Sequence, residues 1–126
     1  MNLPRAQKWI DPQYQEIGAG AVTLLTSADA GALVRLIAGD IATRRGPGST
    51  HSPMTMVHAT VQPGARLVLP WPAEYNALVY ILGGDATVGE ERRPIHSGLV
   101  RALVLAACVS LLITILYAFH PASRRL

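Results

Sequence analysis

The sequence is poor in the residues that build covalent or metal-bound frameworks. Its 126 residues include one cysteine, Cys108, and four histidines. One cysteine forms no intramolecular disulfide and no zinc-binding thiolate cluster, so we expect Cys108 to act as a small buried apolar residue. Residues 1–10 are polar and no apolar run follows them, so the sequence predicts no secretory signal. The length allows one compact domain.

Net positive charge is also absent from most of the chain, although the whole sequence carries a formal charge of +3. Three of the 11 basic residues, Arg101, Arg124 and Arg125, lie after Gly98, which leaves eight basic and eight acidic residues before it. A nucleic-acid-binding face requires clustered Lys and Arg with a strong positive balance. We therefore predict no nucleic-acid partner.

Metal-ligand spacing is missing as well. His51 and His58 are seven residues apart, which places them on opposite faces if one strand holds both. The sequence has no His-x-His pair and no nearby carboxylate for a facial triad, while His96 and His120 flank the apolar segment near the C-terminus. No metal ligand is predicted, and His58 is expected to be an exposed strand histidine.

Catalytic and phosphate-binding motifs are equally incomplete. Ser49, His51 and Ser52 share a flexible loop without a carboxylate to orient them. The Glu90-Glu91-Arg92-Arg93 run is typical of a solvated turn. The glycines at 18 and 20 lack the third glycine of a dinucleotide fingerprint, and those at 46 and 48 lack the lysine of a phosphate loop. The sequence therefore predicts no catalytic, cofactor-binding or metal-binding residue.

Short apolar segments between Gly- and Pro-rich turns predict a mainly β fold, either a sandwich or a barrel. Within the clearest of them, Val57, Ala59 and Val61 share one face, and Met56, His58 and Thr60 share the other. The predicted strands are residues 21–25, 32–38, 54–62, 65–69, 75–82 and 86–88.

The character of the sequence changes after Gly98. Residues 102–119 contain no charge, and as a helix they would span about 27 Å, close to the hydrocarbon core of a bilayer. We therefore expect one apolar helix over residues 99–120 that crosses a membrane, followed by a basic tail at 121–126. The alternative is a buried core helix or a pair of strands.

Several segments resemble the C-terminal half of pirin-family proteins. The longest runs from Leu69-Pro70-Trp71-Pro72 through Asn76-Ala77 and Val79-Tyr80 to Gly83-Gly84. Three others agree in order: Asn2-Leu3-Pro4 with Pro12-Gln13-Tyr14-Gln15, then Val34 to Gly39, then Gly46-Pro47 with Ser52-Pro53. Together they cover about residues 2–98.

This resemblance implies a bicupin, two jelly-roll-like β-barrels in tandem, whose iron ligands lie in the N-terminal barrel. Residues 1–16 would form a linker arm and residues 17–98 an incomplete C-terminal barrel, because further strands are due where the apolar segment begins. No cofactor is expected in this chain. The apolar segment is interpreted either as a tail anchor or as the product of a frameshift.

The resemblance leads to two functional hypotheses. The first is a truncated pirin-like protein without autonomous catalysis, one form of which is a membrane-tethered interaction module with a cytoplasmic β-domain. The second is a quercetin 2,3-dioxygenase-like oxidoreductase, metal-dependent and acting with a partner barrel. Expected partners are a membrane through residues 102–119, another cupin barrel, or further copies of the chain. The expected location is the membrane, with the cytoplasm as the alternative.

Overall fold

The computed structural model describes the backbone of residues 3–98, 100–104, 109–110 and 113–119, and the side chains of residues 3–98. Short 3-10 turns at Arg5–Gln7 and Ala19–Ala21 precede the strands. The strands are β1 (Thr23–Thr26), β2 (Ala32–Ala38), β3 (Asp40–Ile41), β4 (Arg44–Arg45), β5 (Met54–Val61), β6 (Asn76–Ile81), β7 (Asp85–Val88), β8 (Arg93–His96), β9 (Val100–Val104), β10 (Val109–Ser110) and β11 (Ile113–Phe119).

The largest sheet contains six strands in the order β1-β2-β5-β11-β6-β9, and every neighbouring pair in it is antiparallel. A second sheet contains three strands in the order β10-β7-β8, and β3 pairs with β4 in a short hairpin. The described residues therefore form two antiparallel sheets and one hairpin.

An apolar core of described residues lies between the two larger sheets. Leu36, Val57 and Ile81 of the six-stranded sheet are fully buried together with Val88 and Ile95 of the three-stranded sheet. Along β2, β5 and β6 the buried residues alternate with more exposed ones, as expected when one face of a sheet packs on a core. The predicted two faces of β5 are confirmed, with Val57, Ala59 and Val61 buried.

The prediction of a C-terminal helix is wrong for the part of residues 99–120 that the structure describes. That part forms β9, β10 and β11, and β11 lies between β5 and β6 with Leu116 opposite both Val57 and Val79. A continuous apolar run does not distinguish a helix from a strand by periodicity. Strand is favoured here because β5 and β6 each gain a hydrogen-bonded neighbour and because β11 begins with three β-branched residues, Ile113, Thr114 and Ile115.

The prediction of a membrane span depended on this helix. Among the residues that the structure describes, no helix is long and apolar enough to cross a membrane. The remaining residues of the predicted span, 105–108, 111–112 and 120, and the basic tail at 121–126, lie outside the described residues. The barrel predicted to lack its last strands instead receives three strands from this segment.

Two local predictions also need correction. Residues 65–69 form no strand, although Leu67 is buried in the core, because the segment is enclosed by the turn at Pro63-Gly64 and by Pro70. Strand β8 was not predicted, because Pro94 and its charged neighbours conceal the strand pattern. Proline is tolerated in β8 because this strand lies at the edge of its sheet.

Candidate ligand pocket

A pocket of about 640 Å³ lies at one end of the fold, where the loop between β4 and β5 folds over the start of β5. A volume of this size is in the range of small-molecule sites. Its wall combines apolar groups with hydroxyls and one imidazole. The lining residues are Gly39, Asp40, Arg45, Gly46, Pro47, Gly48, Ser49, Thr50, His51, Ser52, Pro53, Met54, Thr55, Pro72 and Tyr75.

Gln15 of the N-terminal arm holds the loop in place. Its side-chain Nε2 donates to the Pro47 carbonyl at 2.8 Å, and its Oε1 accepts from the Ser49 backbone N–H at 2.8 Å and from the Ser49 hydroxyl at 3.1 Å. The backbone N–H of Gly48 also donates to the Ile37 carbonyl of β2. One amide side chain therefore connects the arm to the pocket wall.

An ion pair lies on the same wall. The Arg45 guanidinium donates from Nε to Asp40 Oδ1 at 2.8 Å and from Nη2 to Asp40 Oδ2 at 3.1 Å, a two-point geometry that fixes both planes. Hydrogen bonding to Arg45 lowers the pKa of the Asp40 carboxyl below its ordinary value. Both side chains are exposed, so the pair mainly orients the wall and adds little stability.

The floor of the pocket is closely packed. Ser52 and Thr55 are buried, and the Thr55 hydroxyl donates to the Asp40 carbonyl at 3.3 Å. Gly39 has a φ of +78°, and a Cβ on it would lie 2.8 Å from the Thr55 Cα. Only glycine fits this corner, because a side chain would meet both a steric clash and a left-handed backbone.

The three histidines within the described residues lie in different elements, and of these only His51 lines the pocket. His51 is exposed in the pocket loop, His58 lies on β5, and His96 Nδ1 lies 2.8 Å from Asp85 Oδ1 on the neighbouring strand β7. No group of three His, Cys, Asp or Glu residues able to hold a metal ion occurs among the described residues. The donor set of the described part of the chain therefore does not fit an iron site. His120 and Cys108 lie outside the described residues.

Two polar residues of the pocket wall have partners within the fold. Ser49 bonds to Gln15, and the pocket carboxylate, Asp40, is engaged by Arg45. The residues at 89–92 form an exposed turn between β7 and β8, as predicted. Glu91 of this turn pairs with Arg93. Sequence analysis did not single out Gln15 or the pocket itself, because a glutamine in an irregular arm carries no pattern that indicates its partners.

His58 differs from the exposed strand histidine that was predicted. It is half-buried on the face of the six-stranded sheet that points away from the core, and it lies opposite Arg35 of β2. Arg35 Nη1 lies 3.5 Å from His58 Nδ1 and donates to the Thr60 hydroxyl at 3.2 Å. Desolvation by burial, with the Arg35 charge as a second cause, lowers the pKa of His58 below its ordinary value.

The two antiparallel sheets around one core, with a pocket at one end, form a mainly β, cupin-like fold. No family model matches the chain. Sequence relatives are found among the pirins: the chain is 35% identical over 92 residues to pirin-like protein At1g50590 of Arabidopsis thaliana and 28% identical over 91 residues to human pirin. These alignments cover 73% and 72% of this chain, and 29% and 31% of the relatives.

A Pseudomonas aeruginosa protein that carries the provisional name of a quercetin 2,3-dioxygenase, PA2418, is 31% identical over 91 residues, which cover 72% of this chain and 32% of that protein. Among solved structures, GK1651 from Geobacillus kaustophilus superposes with a TM-score of 0.86 at 26% identity, covering 99% of this chain and 53% of that chain. Quercetin 2,3-dioxygenase from Acinetobacter baumannii superposes with a TM-score of 0.83 at 23% identity, covering 95% and 43%, and shows the same fold.

The chain is thus homologous to a part of the pirins and pirin-like proteins, as its sequence segments indicated. It spans about a third of the length of the curated relatives that it matches.

Proposed function

We propose that this chain is one barrel of a quercetin 2,3-dioxygenase-like pirin, and that it contributes to oxidation of a flavonol only together with another cupin barrel that carries the metal. The observation that carries the proposal is a contrast between the chain's relatives and its own ligand set. The chain is related to a protein named for quercetin oxidation, yet it spans 32% of that protein, and the described residues hold no group of metal ligands.

The pocket supports a role in binding a ring-shaped, hydroxylated substrate. Prolines and Tyr75 offer flat apolar contacts, while Ser49, Thr50 and His51 offer hydrogen bonds. Specific small-molecule sites combine apolar walls with a few such polar groups. In the proposal, these residues bind and orient the substrate, and the oxidative chemistry is supplied elsewhere.

The test measures iron content and flavonol oxidation by the full chain, alone and after mixing with the part of the Pseudomonas relative that the chain does not match. Alone, we expect iron well below one atom per chain and no loss of quercetin absorbance. After mixing, we expect faster oxidation than the added part gives by itself. Stoichiometric iron with turnover by the chain alone contradicts the proposal, as does the absence of any increase on mixing.

Two variants serve as controls for a metal site within this chain. His51→Ala and His58→Ala are expected to leave the low iron content unchanged. If this chain held its own metal through these residues, each substitution would lower the iron content and turnover together.

A further inference from the structure

A second cavity, of about 470 Å³, lies between strand β1, the β3–β4 hairpin and the segment at 66–70. It shares no lining residue with the pocket at the start of β5, which we call the β5 pocket. Its volume is also in the range of small-molecule sites. The lining residues of the second cavity are Leu25, Thr26, Ser27, Ala28, Asp29, Val34, Ile41, Ala42, Arg44, Arg66, Leu67, Val68, Leu69 and Pro70.

The inner wall of the second cavity is apolar. Val34, Ile41 and Leu67 are buried members of the core, and Leu25 and Leu69 are half-buried and pack against the same core. A ligand that enters the cavity therefore contacts side chains of the apolar core. Apolar groups of such a ligand would leave water on binding, which favours the bound state.

The β3–β4 hairpin places its two arginines on opposite faces. Its register pairs Asp40 with Arg45 and Ile41 with Arg44, and residues directly opposite each other lie on the same face. Arg45 lies with Asp40 and lines the β5 pocket, whereas Arg44 lies with Ile41 and lines the second cavity. The residue opposite Arg44 is thus apolar, and only Arg45 has a carboxylate across the hairpin.

Positive charge exceeds negative charge in the second cavity. Arg66 adds a second guanidinium to that of Arg44, and Asp29 is the acidic residue among the described lining residues. Asp29 Oδ1 already accepts from the Ser27 hydroxyl at 2.5 Å and from the Gly31 backbone N–H at 3.0 Å. None of the ion pairs among the described residues includes Arg44. The charges of the cavity therefore favour an anionic ligand.

We propose that the second cavity binds a small organic carboxylate with an apolar body. The body packs against Val34, Ile41 and Leu67, and the carboxylate accepts hydrogen bonds from the Arg44 guanidinium while Arg66 adds positive charge. A guanidinium matches a carboxylate through two parallel N–H···O bonds. This site goes beyond the proposed function and does not depend on it, because binding of a carboxylate here requires neither iron nor another barrel.

Calorimetry with the full chain tests the ligand class. Octanoate and 2-naphthoate, an aliphatic and an aromatic carboxylate, are compared with their uncharged counterparts 1-octanol and 2-naphthol and with inorganic phosphate. We expect at least one carboxylate to bind once per chain, about tenfold or more tightly than its counterpart and than phosphate, which has no apolar body. The tighter carboxylate identifies the body as aliphatic or aromatic. Equal binding of acid and counterpart, or no binding of either acid, overturns the proposal.

Arg44→Gln tests the anchoring residue. It removes the charge and keeps most of the stem, so it should weaken carboxylate binding about tenfold or more and leave the uncharged counterpart within about twofold. Arg92→Gln is the matched control, since it makes the same charge change in the exposed turn between β7 and β8, and it should leave carboxylate binding within about twofold. Thermal unfolding verifies that each variant is folded. Unchanged carboxylate binding in Arg44→Gln overturns the proposal.

Intermolecular nuclear Overhauser effects locate the ligand without any substitution. We expect them between the bound carboxylate and the methyl protons of Ile41 and Leu67, which line the second cavity. Effects to Met54 and Tyr75 instead would place the ligand in the β5 pocket and overturn the second cavity as its site. None of these outcomes alters the proposed function, which is tested by iron content and flavonol oxidation.

Discussion

Arg35 and His58 face each other across β2 and β5, with Nη1 of the guanidinium 3.5 Å from Nδ1 of the imidazole. Burial and this neighbouring charge both disfavour the imidazolium, so the pKa of His58 lies below its ordinary value of about 6.5. Arg35→Met removes the charge without shortening the stem by much. We expect the substitution to raise the pKa of His58, as measured by NMR titration of the ring protons.

The same shift makes stability depend on pH. As pH falls through about 6.5 the unfolded chain takes up a proton at His58 before the folded chain does, so protonation favours unfolding. The contribution is fully present above pH 6.5 and is lost as pH falls through the lower folded pKa. We expect the free energy of unfolding in urea to fall between pH 7.5 and 5.5, and to fall less in His58→Gln. An equal or larger fall in the variant would show that His58 is not responsible.

One leucine of the six-stranded sheet points into the core and another points away from it. Leu36 on β2 is completely buried and Leu24 on β1 is 62% exposed. Leu36→Ala should lower the free energy of unfolding by about 2–5 kcal/mol, because it leaves a cavity between the sheets. Leu24→Ala should change it by less than about 0.5 kcal/mol. Chemical denaturation of the two variants measures the difference, and equal losses would contradict the burial of Leu36 and the exposure of Leu24.

The position of β11 is tested through its backbone. Leu116→Pro removes an N–H from a strand that pairs on both sides, with Val57 on β5 and Val79 on β6. We expect the cooperative unfolding transition to weaken strongly or disappear. Leu116→Val keeps the N–H and should retain the transition. A helix outside the barrel would tolerate the proline without any effect on unfolding of residues 17–98, so an unchanged transition would reinstate the helical interpretation.

The contact between the arm and the pocket loop is tested through Gln15. Gln15→Ala deletes the acceptor of the Ser49 amide and the donor to the Pro47 carbonyl. We expect faster hydrogen exchange at the Ser49 amide and a loss of about 1 kcal/mol or less in stability, because the bonds are exposed. Gln13→Ala removes an exposed glutamine from the same arm and should leave exchange at Ser49 unchanged. Loss of protection in both variants would assign the effect to the arm as a whole.

The sequence predicts β2 and β5 well because their apolar residues alternate and their burial follows that alternation. It fails at β9–β11, where nearly every residue is apolar and the period that distinguishes a strand from a helix is absent. The deciding factor there is a long-range one, the place between β5 and β6, which is not visible in residues 100–119 alone. Family resemblance predicts the cupin class because it depends on short segments around fixed turns.

Sequence analysis did not predict the pocket or the contact between Arg35 and His58, for a related reason. Gln15 and Ser49 are 34 residues apart, and Arg35 and His58 are 23 apart. Neither pair has a motif, because the contacts arise from strand register and loop placement. The separation of His51 from His58 was foreseeable from their spacing, and the structure places them in different elements.

The central position of β11 also has a kinetic consequence. This strand follows its neighbour β5 by more than fifty residues of chain, and β5 and β6 are both synthesised long before it. While the chain is emerging from the ribosome, the edges of β5 and β6 that will later pair with β11 therefore remain unpaired. Another strand could form non-native hydrogen bonds with them. Folding that depends on such distant contacts is slow, and chaperones that shield strand edges should increase its yield.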